Sequence, residues 1–498
     1  MSKNRNKLAI INIASNISYQ IINILMNLIL PPLIIAKFGS SINGLVSTTR
    51  QIVGYVQLLG AGISESSVVS LYKPIAQKDQ KGISSIYNAT SHSFFRAGVL
   101  FCIVSCLLAA IYPLTINSQL SYLSTTLLVM VICIGGASEF FVTGKCRALL
   151  MANQQLYIVN MVQIIGAVCN VLITIILLNL NMNIIIVQLG GTIIFFMRLI
   201  LLSIYVNKKF KFLDKKVPPN QEAIVKRKAA TIHQLAALVL LGSQTIIITT
   251  FCGLEEASVF SVYSLVFTGV STLCGTVSSA LLATFGNMIH QESNTVISKS
   301  FRVYETIYYI LIFVIYATAF VLILPFIELY VVNSPDISYT RPITGALFCI
   351  TVLLNNIRTP GITLIMAYGH YDETVSRAII EMTICLIGQL VLVTLFGING
   401  VLIATMLAYI YRSCDVIHYV NHIITKGSVF VSVKTIFVNI VLFFISVSVC
   451  TVINYEISNF FEWAIAGILY VLINLIIILL GNIIFNKKII ISIHSKEN

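Results

Sequence analysis

Long apolar runs recur along the whole chain, separated by short polar breaks. They predict membrane-crossing helices at about 8–36, 42–70, 94–116, 122–143, 156–179, 183–205, 229–252, 257–284, 305–332, 343–367, 375–396, 399–422, 429–453 and 461–485. At a rise of about 1.5 Å per residue, each run spans the roughly 30 Å hydrocarbon core of a bilayer. A membrane barrel would instead show ten-residue segments of alternating polarity, and the chain has none. The expected fold is therefore an all-α polytopic membrane protein of about fourteen transmembrane helices.

Composition agrees. Of the 498 residues, 57% are hydrophobic and only 10% are charged, against about 25% charged in soluble domains. A mean hydropathy of +0.94 leaves too little polar surface to cover a water-soluble core. The first run is too long for the apolar core of a cleaved signal peptide and has no small-residue cleavage site. The eleven Cys form no C-x-x-C and no metal-ligand spacing, so they read as small packing residues. The single Trp, Trp463, sits beside an expected interface.

The net charge of +13 reads as topology and not as a nucleic-acid footprint. Among the 31 Lys and Arg, only Lys37 and Arg341 fall on the outer side, and Arg50, Arg198, Arg358 and Arg412 lie within spans. The rest share one side with both termini, which predicts cytoplasmic termini. The longest hydrophilic stretch, 207–228, is basic and carries Pro218-Pro219. It reads as a linker, with contact to anionic headgroups as the sharper alternative.

The chain repeats itself. Gly62, Ser66, Tyr72 and Asp79 match Gly275, Ser279, Phe285 and Glu292. Arg198 and Tyr205-Val206-Asn207 match Arg412 and Tyr419-Val420-Asn421. Met151-Ala152 matches Met366-Ala367. Two parallel six-helix halves follow, the geometry of transporters that hold substrate between lobes. The expected organisation is an N-lobe at 1–206, a basic cytoplasmic linker at 207–228 and a C-lobe at 229–424. The region 425–498 holds spans 13 and 14 and a tail.

Polar residues inside spans are the functional candidates. Arg50 and Arg358 stay charged when buried and offer a fork of donors that matches phosphate. Pro360 beside Arg358 breaks the helix and frees backbone groups. The competing reading is pairing with a buried carboxylate such as Glu139 or Glu381. Glu65, Glu139 and Glu381 are candidates for ion coupling, because a carboxylate kept from water can carry a proton or bind Na⁺; boundary ion pairs are the plainer alternative. Ser47, Thr48, Gln51, Ser64, Gln244, Ser264, Thr268, Asn355 and Asn356 are candidate cavity-lining groups. Close helix packing is the alternative for the hydroxyls. Arg198 and Arg412 read as interface anchors. No metal site and no resident cofactor is expected beyond coupling to H⁺ or Na⁺.

Four stretches carry a resemblance: Phe38-Gly-Ser-Ser-Ile-Asn-Gly-Leu45, Leu71-Tyr-Lys-Pro-Ile-Ala-Gln-Lys-Asp79, Thr143-Gly-Lys-Cys-Arg-Ala-Leu-Leu-Met-Ala-Asn-Gln154, and Ile357-Arg-Thr-Pro-Gly361 followed by Ala367-Tyr-Gly-His-Tyr-Asp-Glu-Thr374. Over nearly its whole length the chain resembles polysaccharide repeat-unit flippases (O-antigen and capsule, Wzx type) of the multidrug/oligosaccharidyl-lipid/polysaccharide (MOP) exporter superfamily. The resemblance implies two six-helix lobes around a cationic cavity, with two appended helices. It implies movement of an undecaprenyl-pyrophosphate-linked oligosaccharide across a bacterial cytoplasmic membrane by alternating access. Membrane lipids and a polysaccharide polymerase are the implied partners. Related flippases often carry an Asp after a Ser/Thr in span 7, where this chain has Gly242-Ser243-Gln244-Thr245; where that Asp serves ion coupling, the resemblance implies that coupling here is lost or moved to another carboxylate. The rival readings are a cation-coupled multidrug exporter of the same superfamily and a membrane polymerase or glycosyltransferase. The short outer loops and the lack of a Walker or acidic metal motif argue against an enzyme.

Overall fold

The computed structural model describes residues 2–57, 60–220, 228–332, 336–453 and 455–485. All regular elements among them are helical. They are α1 (Ser2–Phe38), α2 (Ser40–Gln57), α3 (Ala61–Gln77), α4 (Gln80–Thr115) and α5 (Tyr122–Ser138). A π-helical turn, Glu139–Thr143, leads to α6 (Gly144–Ala152), α7 (Leu156–Asn179) and α8 (Ile184–Lys209). Then come α9 (Lys228–Cys252), α10 (Leu254–Gln291), α11 (Asn294–Tyr330), α12 (Pro342–Ile357), α13 (Thr359–Tyr368), α14 (Val375–Tyr419), α15 (Val429–Ile453) and α16 (Phe460–Phe485).

Twelve continuous helical runs are long and apolar enough to cross a membrane, and α2 with α3 makes a thirteenth across a 43° bend. One of the twelve, Asp372–Ile424, is two crossings. It reverses at Gly397, whose φ of 55° and ψ of −133° are not helical. Around that point Gly400 abuts the Leu392 carbonyl, Gly388 faces Ala404, and Arg377 pairs with Asp415. Partners drift apart in sequence symmetrically about Gly397, as in an αα-hairpin. Fourteen crossings result, as the sequence predicts.

Two details differ from expectation. The run at 42–70 is not one helix but α2 and α3, because the chain breaks near Gly60. And α4, α10 and α11 extend well past their apolar cores. Hydropathy marks what lipid covers; the helix itself continues until a cap stops it. Asp79 is such a cap, accepting from the backbone N–H of Lys81 and Gly82 at 3.1 and 3.0 Å.

The chain forms two compact units, Met1–Ser261 and Val262–Asn498, divided inside α10. In the first, α7 packs on α1 and α8, and α5 on α4 and α8. The glycine at 44 lets α2 approach the backbone of Leu254 closely, and Asn43 Nδ2 donates to Ser258 Oγ at 2.7 Å. α1 is two-faced. Ile10, Ile13, Ile17, Ile21, Leu25 and Ile29 are exposed, an outward stripe suited to lipid, while Tyr19, Asn23 and Asn27 lie on the opposite side at four-residue steps.

The basic stretch after α8 is folded down where it is described. Phe210 joins a buried cluster with Leu71 and Val206. Asn88 of α4 donates to the carbonyls of Asp214 and Val217 at 3.0 and 2.9 Å. The rest of that stretch, 221–227 with Lys226 and Arg227, lies outside the described residues, as does 486–498 with Lys487, Lys488 and Lys496.

In the second unit α11 is the hub, packing on α12, α15 and α16. Its Tyr308, Tyr309 and Tyr316 are fully buried. α16 is tied on by Asn474, which donates to Thr318 Oγ1 at 3.0 Å, and by the mutually bonded amides of Asn439 and Asn482. Such polar ties replace the hydrophobic drive that lipid cannot supply between helices.

Candidate functional site

Two polar centres lie inside the helical bundles, one in each unit. The first is a cavity of about 430 Å³ among α1, α2, α5, the π turn, α7 and α8. α1 contributes Tyr19, Asn23 and Asn27, and α2 contributes Arg50 and Gln57. Gln163, Asn170 and Thr174 come from α7, and Gln188, Thr192 and Arg198 from α8. The π turn lets Ser138, Glu139 and Thr143 share the cavity face; such turns are frequent at functional sites. A space this polar and this large suits ordered water.

The cavity's two arginines form no ion pair with a carboxylate among the described residues. Arg50 is exposed, and the space it faces is the cavity. Its Nη2 donates to Gln188 Oε1 at 3.1 Å. Arg198 stacks 4.8 Å from the Phe195 ring centre, and its buried Nε has no hydrogen-bond partner among the described residues. That Nε lies directly over Gly166. Among the described residues, neither Arg50 nor Arg198 has a carboxylate within 4.0 Å.

The second centre is a ladder of alternating charge across α12, α14 and its hairpin. Arg358 pairs with Glu381, Glu381 lies 3.5 Å from Arg412, and Arg412 donates to Asp415 at 2.6 Å; Asp415 also pairs with Arg377. Arg358 stacks 4.7 Å over Tyr409 and donates to Asn355 Oδ1 at 2.7 Å. Nearby, Glu305 accepts from Arg302 at 3.0 Å and from Ser432 Oγ at 3.0 Å. A void beside this centre that adjoins Arg358 and Glu305 has a volume of about 10 Å³, room for about one water.

The sequence candidates therefore separate. Arg50 and Glu139 share the cavity. Arg358, Glu381 and Asn355 share the ladder. Glu65 is exposed on α3 and belongs to neither. Thr48 is enclosed and bonded to Thr249 at 2.6 Å, and Gln51 lies against Gly242. Asn356 is buried and donates to Ser271 and Tyr316. Gln244 is buried, with Nε2 donating to the Leu240 carbonyl at 3.2 Å. Ser47, Ser64 and Ser264 are half-buried, and Thr268 is exposed.

Arg198 and Arg412 are not interface anchors. A helical side chain leans back toward its own N-terminus, which draws both into the bundle: Arg412 is 5% exposed and Arg198 lines the cavity. The stripe Tyr19, Asn23, Asn27 also escaped the sequence reading, although its four-residue period in an apolar run was visible.

No family model matches the sequence, and no curated protein matches it. Solved structures do match by fold. A structure of the lipid II flippase MurJ in an inward closed conformation superposes with a TM-score of 0.70 at 14% identity, covering 97% of this chain and 100% of that one. The fold is similar to that of solved exporters of the MOP superfamily. An inward-facing multidrug resistance MATE transporter of that superfamily gives 0.68 at 12% identity, over 84% of this chain and 99% of that one. The MATE multidrug transporter DinF-BH gives 0.59 at 17% identity, over 84% and 95%. At these identities the likeness concerns the fold. Within this MOP-type fold, the cavity and the ladder occupy corresponding parts of the internal repeat: the 215-residue step that carries Met151-Ala152 to Met366-Ala367 carries Gly166 to Glu381.

Proposed function

We propose that this protein is a flippase that moves an undecaprenyl-pyrophosphate-linked oligosaccharide repeat unit across the bacterial cytoplasmic membrane by alternating access, for surface polysaccharide synthesis. The supporting observation is the extent of the fold match. A lipid II flippase accounts for 97% of the chain, whereas the MATE transporters account for 84%. The difference is about the size of α15 and α16, helices that a twelve-span drug exporter lacks. The sequence resemblance to polysaccharide flippases supports the choice of substrate, and the lysine-rich side of the chain supports cytoplasmic termini.

In this reading Arg50 and Arg358 are the candidate cations for the substrate's pyrophosphate. They differ in readiness. Arg50 faces open polar space, while Arg358 must first leave Glu381. Glu139 and Glu381 remain the candidates for ion coupling, and Glu65 the weaker one. A polysaccharide polymerase is the expected partner. The test is surface polysaccharide in cells carrying Arg50→Ala, with the amount of protein in the membrane measured beside it. Lost polysaccharide at normal protein level is expected; full polysaccharide overturns the role of Arg50. A second reading, drug export, is favoured by the MATE superpositions. It predicts that a deletion strain becomes drug-sensitive while its surface polysaccharide stays intact.

A further inference from the structure

The internal repeat provides a comparison the chain makes with itself. In the second half, Arg412 meets the carboxylate of Glu381 at 3.5 Å. In the first half, Arg198 stands at the matching position, and the residue matching Glu381 is Gly166. Arg198 Nε lies over that glycine, where a side chain would begin, and has no hydrogen-bond partner among the described residues. The ring stacked on the guanidinium is kept in kind: Tyr409, at Phe195's repeat position, stacks on Arg358 of the ladder. What the first half lacks is the negative charge, and in its place is the open cavity.

The charges around that cavity do not balance. Its walls carry Arg50 and Arg198 against Glu139, with Tyr19 the other titratable group, and Glu139 is itself within electrostatic reach of a third cation, Arg147. No carboxylate lies within 4.0 Å of either arginine among the described residues. A guanidinium held out of bulk water needs a counter-charge or several hydrogen bonds. The cavity wall also offers amides and hydroxyls, from Gln163, Asn170, Thr143 and Thr192. These groups hydrate or hold a small anion and cannot neutralise a cation.

We propose that the cavity of the first unit is a binding site for a small monovalent inorganic anion of the halide class, seated against Arg198 where the second unit uses Glu381. An anion offsets part of the positive excess around the cavity. The volume of about 430 Å³ admits such an ion with part of its water shell. The proposal concerns the free protein and does not rest on the flippase reading, since the experiment needs no transported substrate.

The experiment follows thermal stability of the purified full chain in detergent at constant ionic strength, with bromide replacing gluconate. A ligand that binds only the folded state raises stability in a saturable way. The wild type is expected to show a saturable rise in Tm with bromide, opposite to the generic weakening by that ion. Arg198→Gln is expected to lose the rise. Gly166→Glu supplies the carboxylate from the chain, so it is expected to match the bromide-bound wild type in gluconate and to gain nothing further. Should either variant fail to fold, anomalous scattering from bromide in the wild-type cavity decides the matter. Absence of both a saturable rise and bromide density in the wild type overturns the proposal, as does an undiminished rise in both variants.

Discussion

In α8, Arg198 lies over the backbone of Gly166 and beside a polar space of about 430 Å³. At the equivalent point of the second half, Arg412 lies between Glu381 and Asp415, beside an ion-pair ladder with a void of about 10 Å³. The helices, the arginine and the neighbouring aromatic ring are alike. The difference lies in who supplies the counter-charge. Where the chain supplies it, the centre is closed and serves to hold α12 and both arms of α14 together. Where the chain withholds it, the same arginine is left facing space that water or a ligand must fill. A duplicated scaffold has thus kept its packing in both halves and opened only one of them.

The largest expected effect comes from making the closed centre resemble the open one. Glu381→Ala leaves Arg358 and Arg412 buried at 12% and 6% side-chain exposure with a carboxylate removed. Breaking a buried pair by removing one partner costs about 3–5 kcal/mol. The variant should show a sharply lower Tm and reduced protein in the membrane. A stability close to wild type would mean that the ladder is as solvated as the cavity, and the comparison fails.

Asp415→Asn is a milder version. It keeps an acceptor for Arg412 and Arg377 and removes only the charge. Hydrogen bonds to charged groups contribute about 1.5–3 kcal/mol, so the expected loss lies near or below that range, readable as a smaller fall in Tm. Tyr409→Leu should cost less again. It removes the ring under Arg358 at 4.7 Å, a contact that contributes about 0.5–2 kcal/mol when desolvated. If it proves more costly than Asp415→Asn, stacking and not charge pairing holds the ladder.

Fourteen crossings were legible in the sequence because hydropathy reports what lipid covers, and lipid covers most of this protein. The hairpin at Gly397 was legible for the same reason, as a short polar gap between apolar runs. The bend between α2 and α3 was not, because Gly60-Ala-Gly62 interrupts no apolar run. Among site residues, Arg50 and Glu139 were singled out by charge alone, and so was Arg358 with its alternative partner Glu381. Their grouping needed three dimensions: which face of α1 carries Tyr19, Asn23 and Asn27, and which arginine has a carboxylate across from it. Arg198 and Arg412 look identical in sequence. Only the partner helix, through Gly166 or Glu381, separates them.

The smallest effect on stability is the sharpest test of the contrast. Arg50→Gln removes a guanidinium whose one hydrogen bond is to Gln188, at 3.1 Å. A glutamine at 50 leaves no buried carboxylate stranded, because none lies within 4.0 Å of Arg50 among the described residues. A water entering the polar cavity can satisfy Gln188. The loss should therefore be that of a single partly hydrated hydrogen bond, about 1 kcal/mol or less, seen as a small change in Tm. Transport should fall far more than stability does, because the cation meant for the substrate is gone. Measured together, the two readouts separate a group that holds the protein together from one held in reserve for something else. If Arg50→Gln destabilises as much as Glu381→Ala, then Arg50 is a structural residue and both halves of the molecule use their arginines in the same way.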